Sequence, residues 1–235
     1  KGPMMNGPLA STSTSQPQKM KKTSRNSSNS IGSLKSRCLQ SKSLLELAHK
    51  LERRVTKMIP VALYGIDVAK CERFFEEMPQ LVSNAYEDRS YIESLYSVTS
   101  KRSVEHIRVA DKWAQRDPYA WPEDVVNEVE MVLRTATYPD VSLLEHLLTL
   151  DSVDAQRISE WMHFSTNTFP IYSQKACETL TQMGLETPYR PDDIASYGLY
   201  VSRIEGLKLH APAKGLPEIG LPRSRMLQLG LERFE

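Results

Sequence analysis

Two Glu-x-x-His sequences, Glu46-Leu47-Ala48-His49 and Glu160-Trp161-Met162-His163, are the sharpest sign of chemistry in this chain. On a helix that spacing brings a carboxylate and an imidazole to one face. Carboxylate-bridged di-iron bundles use two such motifs together with a glutamate from each of two further helices. One reading is therefore a helical carboxylate-histidine metalloenzyme built on Glu46, His49, Glu160 and His163. Against it, nineteen glutamates and five histidines in 235 residues would give roughly 0.4 such pairs by chance. No acidic residue precedes Glu46, so the lone glutamate that such a bundle draws from an earlier helix is missing. The competing reading makes Glu46 a helix-capping residue and His163 a hydrogen-bonded side chain beside a core tryptophan.

Cys177 and His163 are the residue types of a nucleophile and its base, but neither sits in a sequence context typical of a cysteine enzyme. Cys177 recurs at helical spacing with Ala176, Leu180 and Met183, which suits a buried structural thiol. There is no Gly-rich phosphate loop, Gly-x-Ser-x-Gly elbow, His-Glu-x-x-His or Cys-x-x-Cys. Nucleotide-dependent and zinc chemistry have no motif to rest on, and no cofactor or metal is expected. Three scattered cysteines, Cys38, Cys71 and Cys177, do not make a disulfide framework.

Charge gives a second kind of signal. Residues 1–43 carry eight Lys or Arg and no Asp or Glu, whereas the other 192 residues carry 22 basic and 29 acidic side chains. The overall charge of +1 thus hides a basic tail on an acidic body. Eleven serines, three prolines and only scattered Leu, Ile and Met in the tail cannot bury enough surface to offset ordering entropy, so residues 1–42 are expected to be disordered. The tail is either a solvated terminus, a targeting segment, or a nucleic-acid or acidic-partner contact made by Lys19, Lys21, Lys22, Arg25, Lys35 and Arg37. Toward the other end, Arg203, Lys208, Lys214, Arg223 and Arg225 could add to such a contact. Tyr86, Tyr91, Tyr96, Trp113, Tyr119 and Trp121 could serve as stacking platforms, but the acidic residues among them favour helix packing or protein recognition.

The elements that must position these residues are helices. From Ser43 the apolar residues recur at a period of 3.6, with Leu44, Leu47, Ala48, Leu51, Val55 and Met58 on one stripe. That stripe either completes the core or forms a seam with a second copy. Ser43–Glu46, Ser90–Glu93 and Ser142–Glu145 match capping boxes, and Pro122-Glu123-Asp124 suits a first turn. Further helices are expected over 67–78, 80–97, 101–115, 142–150, 152–164, 173–183 with Gly184 as its stop, and from 191 toward Arg203. Closely spaced Gly and Pro after residue 205 predict an irregular arm ending in a short helix at 223–233. The longest apolar run, Met58–Ile66, is interrupted by Pro60 and Gly65 and is far short of the about 20 residues that span a bilayer.

The expectation is an all-α, multi-helix globular domain over 43–205, a disordered basic tail over 1–42, and a Pro/Gly-rich arm over 206–235. In function it would be a non-enzymatic interaction or assembly protein, intracellular in the cytoplasm or nucleus, with organelle import also open. It would partner a protein or a second copy, and RNA or DNA through its tail. The alternatives are the metalloenzyme above and a protein-only adaptor whose tail is inert.

Overall fold

The computed structural model describes residues 59–98 and 104–235. The six tail cations, Cys38, the first Glu-x-x-His and the 44–58 stripe lie outside the described residues. Every regular element among the described residues is helical, as the 3.6-residue period predicts, and none is a strand. A 3-10 turn at Val61–Leu63 leads into α1 (Val68–Leu81), and a second at Ala85–Glu87 precedes α2 (Arg89–Ser97). There follow α3 (Val104–Trp113), α4 (Glu123–Thr135), a 3-10 helix at Ser142–Thr149, α5 (Ala155–Thr166), α6 (Gln174–Gln182), α7 (Ile194–His210) and α8 (Arg223–Arg233). No described helix is long and apolar enough to cross a membrane.

Most of these helices start where a short polar side chain accepts an orphan first-turn N–H. Asp67, Asp88, Asp154, Ser173 and Asp193 cap α1, α2, α5, α6 and α7 in this way. α4 opens on Pro122, Glu123 and Asp124 as expected. The capping boxes expected at Ser90 and Ser142 do not form. Asp88 Oδ1 takes the Tyr91 N–H at 2.9 Å and the Ser90 hydroxyl at 2.8 Å, and Asp140 Oδ1 takes the Ser142 N–H at 2.8 Å. A carboxylate two residues upstream is the stronger acceptor and suits the positive end of the helix dipole. The helix expected over 80–97 is accordingly divided. α1 runs past Pro79 to Leu81, the chain turns through 82–88, and α2 begins at Arg89.

The stop of α6 is the one expected. Gly184, at φ +90°, donates to Thr181 O at 3.0 Å, and Leu185 N–H reaches back to Leu180 O at 2.9 Å. A Cβ on Gly184 would lie 2.7 Å from Gly65 O, so this position needs glycine for both conformation and space.

α7 is the central strut, packed on the Val61–Leu63 turn, the Ser142–Thr149 helix, α5 and α8. It buries Ile194, Tyr197, Tyr200, Val201, Ile204 and Leu207. The change of character expected at 206 falls later, because α7 continues to His210 and the irregular stretch is 211–222. Gly206 is a packing residue within α7, since a Cβ there would come 2.9 Å from Leu63 Cγ. The irregular stretch ends at a helix that belongs to the core. Residues 224–231 of α8 are all buried, against α1, α6 and α7.

Candidate functional site

α5 is the element on which the polar interior is built, because every residue from Ala155 to Phe164 except Gln156 is buried, the charged ones included. It packs most extensively on α3. Asp111 of α3 receives Arg157 through two bonds, Nε to Oδ1 at 3.0 Å and Nη2 to Oδ2 at 2.7 Å, while Trp161 Nε1 donates to Oδ1 at 2.8 Å. Arg157 also donates to Ser152 O and Asp117 O, so the guanidinium is held on several sides. One turn on, Glu160 accepts from Arg116 Nε at 2.8 Å and Nη2 at 3.1 Å, and from Gln156 at 3.2 Å. Burial raises the Glu160 carboxyl above its ordinary range, with the bonds from Arg116 and Gln156 opposing.

The Glu-x-x-His pair therefore does not act as a pair. Glu160 serves Arg116, whereas His163 Nδ1–H donates to Phe169 O at 2.7 Å, leaving Nε2 to accept the Tyr91 hydroxyl at 2.8 Å. Both ring nitrogens are used, and burial pushes the imidazole down to about 3, so the ring is neutral at physiological pH. Among the described residues no group of three or more His, Cys, Asp and Glu side chains is placed to hold a metal ion. Burial pushes the Cys177 thiol up to about 12 and the Cys71 thiol up to about 11, which keeps both protonated. With Nε2 already accepting from Tyr91, His163 offers Cys177 no base.

The feature with the character of a binding site lies where α8 meets α2 and α3. Arg225 is 6% exposed, and its guanidinium lies over the Tyr91 ring at 4.6 Å and the Trp113 ring at 5.4 Å. Nη1 donates to Gln228 Oε1 at 2.9 Å, and Asp88 Oδ2 is 3.9 Å from Nη2. Burial tends to raise Asp88, but the bonds from Tyr91 N–H, Ser90 and Trp113, with Arg225 nearby, bring its carboxyl below the ordinary range. Arg225 forms part of the wall of a groove of about 450 Å³, with Trp113, Tyr172, Tyr189, Lys175 and Glu232 among its lining. Glu232 Oε1 accepts from Ser173 at 2.5 Å and from Gln228 at 3.0 Å.

The chain matches no known family model, no curated protein and no solved structure. The site is therefore read from its own residues. Of the five C-terminal cations considered for a phosphate contact, three are engaged within the body. Arg203 donates to Ala62 O, Lys208 pairs with Glu205 at 2.7 Å, and Arg225 is buried. Lys214 and Arg223 are exposed. The aromatic residues likewise divide. Tyr91 and Trp113 belong to the Arg225 cluster, and Tyr119 stacks on Trp121 at 4.3 Å, in line with helix packing. The polar groove itself has one sequence signal, charged residues set among apolar ones in α5 and α8, and that signal does not reveal which charges meet.

Proposed function

We propose that this protein binds rather than catalyses, its basic N-terminal segment neutralising phosphates on nucleic acid while its helical body docks protein partners. The observation that carries this reading is the segregation of charge. Residues 1–43 hold eight basic and no acidic side chains, while residues 59–235 hold 27 acidic and 18 basic. An acidic body repels a polyanion, which leaves the contact to Lys19, Lys21, Lys22, Arg25, Lys35 and Arg37. The internal engagement of Arg203, Lys208 and Arg225 supports that division of labour. Exposed apolar side chains support the protein-docking half. Ile59, Val61, Tyr64 and Val68 fall within one short stretch, with Val61 91% and Tyr64 86% exposed.

The test is binding of single-stranded RNA, with duplex DNA alongside, across a salt series. The full chain is compared with a full-length variant carrying Lys19→Gln, Lys21→Gln, Lys22→Gln and Arg25→Gln. For every phosphate no longer neutralised, the single-strand slope of log affinity against log salt should become shallower by about 0.7. Binding that ignores salt, or is unchanged in the variant, overturns the proposal. Absence of binding to either nucleic acid leaves the body as a protein-only adaptor.

A further inference from the structure

Val61 and Tyr64 stand three residues apart on the Val61–Leu63 3-10 turn, so they share one face, while Leu63 between them is buried. Both are almost fully exposed, and Val68, half exposed, opens α1 nearby. Leu209 of α7 is exposed one turn beyond Gly206, the position that meets Ala62 and Leu63. Together they present on the order of a few hundred Å² of apolar surface, the size that marks an interaction site. From Val68 the same stripe of α1 continues to Glu72 and Glu76, at i+4 and i+8. Both glutamates are exposed, and neither has a hydrogen bond or ion pair among the described residues. The neighbouring cations are engaged elsewhere, Lys70 with Gln182 O at 2.9 Å and Arg73 with Glu77 at 3.6 Å. The face thus has an apolar end and an acidic end.

A partner for such a face needs an apolar stripe flanked by cations, and the chain itself carries one. Over 44–58, outside the described residues, Leu44, Leu47, Leu51, Val55 and Met58 recur at helical spacing. Lys50, Arg54 and Lys57 recur at spacings of four and three along one flank of that stripe. Ile59 and Pro60 connect the segment to the face. Pro60 is extended, at φ −52° and ψ 143°, and a residue before proline is biased the same way, so these two residues supply no turn back onto Val61. That favours a second copy's segment over the chain's own. Area points the same way, because a stable interface takes about 800 Å² from each partner. The patch gives less than that by itself, whereas a reciprocal exchange engages patch and segment on both chains. We infer that this face docks the 44–58 segment of a second copy, with the apolar stripe on Val61, Tyr64 and Val68 and the cations toward Glu72 and Glu76. The inference rests on the protein-docking half of the reading above and names the partner.

The experiment is sedimentation equilibrium of the full chain from about 1 to 100 μM. The weight-average mass is expected to rise from that of one chain toward that of two. Val61→Lys with Tyr64→Lys replaces two exposed side chains and should weaken association about tenfold or more, and Leu51→Lys with Val55→Lys should do the same. Mixing these two variants leaves one intact patch facing one intact segment, so the mixture should associate more tightly than either variant alone. Glu72→Lys with Glu76→Lys should weaken association about threefold to tenfold, most at low salt, and adding Lys50→Glu, Arg54→Glu and Lys57→Glu to the same chain should restore it. The mass of a single chain at every concentration overturns the inference while leaving the body to dock a different protein, so the two readings fail separately. A dimer that ignores the patch substitutions, or a mixture no tighter than its components, overturns it too. Should a lysine variant lose its helical circular dichroism, the glutamate reversal and its rescue decide.

Discussion

His163 illustrates how a residue with catalytic potential becomes a structural one. Its Nδ1–H is spent on Phe169 O and its Nε2 on the Tyr91 hydroxyl, and burial lowers its proton affinity to about 3 from 6.5. Below the unfolded value the denatured chain takes up a proton that the folded chain refuses. Stability from this group is thus fully present above pH 6.5 and is lost as pH falls toward 3. The loss should approach about 1.4 kcal/mol per pH unit within that window, measurable as a urea midpoint that falls with acidification. His163→Gln should flatten this part of the profile, and a variant with the wild-type slope would show that other groups set it. Asp111 is the opposite kind of residue, a carboxylate whose partners cannot do without it. Asp111→Ala strands the Arg157 guanidinium and the Trp161 N–H in the interior, which should cost about 3–5 kcal/mol by chemical denaturation. A loss below about 1 kcal/mol would mean that Arg157 finds enough support in Ser152 O and Asp117 O.

At the scale of elements, the helix ends decide how much of the fold can be read from the chain. Gly184 combines a left-handed backbone with a close approach to Gly65, so Gly184→Ala should destabilise the protein by roughly 1–3 kcal/mol or more. A calorimetric melting temperature within error of the wild type would show that the turn after α6 and the Gly65 backbone beside it can relax. This stop was legible because positive φ is a local demand of one residue type. So were the start of α4, where Pro122 and two first-turn acids agree, and the bounds of α8 between Pro222 and Arg233. A break between α1 and α2 was expected at residue 79, but its place at 82–88 was not legible. Ser90 and Glu93 have the spacing of a capping box, and choosing Asp88 instead depends on a competition that spacing does not reveal. Gly206 was misleading for a related reason, since a glycine that admits Leu63 looks in sequence like one that ends a helix. The candidate groove was the least legible, because Arg225 meets Tyr91 and Trp113 only through the packing of α8 on distant elements.

For the whole molecule, the all-α class followed from the dominant 3.6-residue period, while the meeting of charges inside the body did not. Arg157 with Asp111, Arg116 with Glu160 and Arg225 with its aromatic pair join residues far apart in the chain, and local sequence pattern carries no sign of such pairings. The burial of α8 has a consequence for how the protein is made. Phe74 on α1 meets Phe234 edge-on at 5.4 Å, and Arg73 lies 4.6 Å from the same ring. Gly230 sits where a larger side chain would strike Met78. These neighbours are separated by about 160 residues of chain, which a ribosome adds in roughly 8–32 s. For that interval the apolar side of α1 has no lid, and the nascent chain presents Phe74, Phe75 and Met78 to whatever waits at the exit tunnel. That surface stays uncovered until α8 emerges, so the order of synthesis bears on how this sequence reaches its fold.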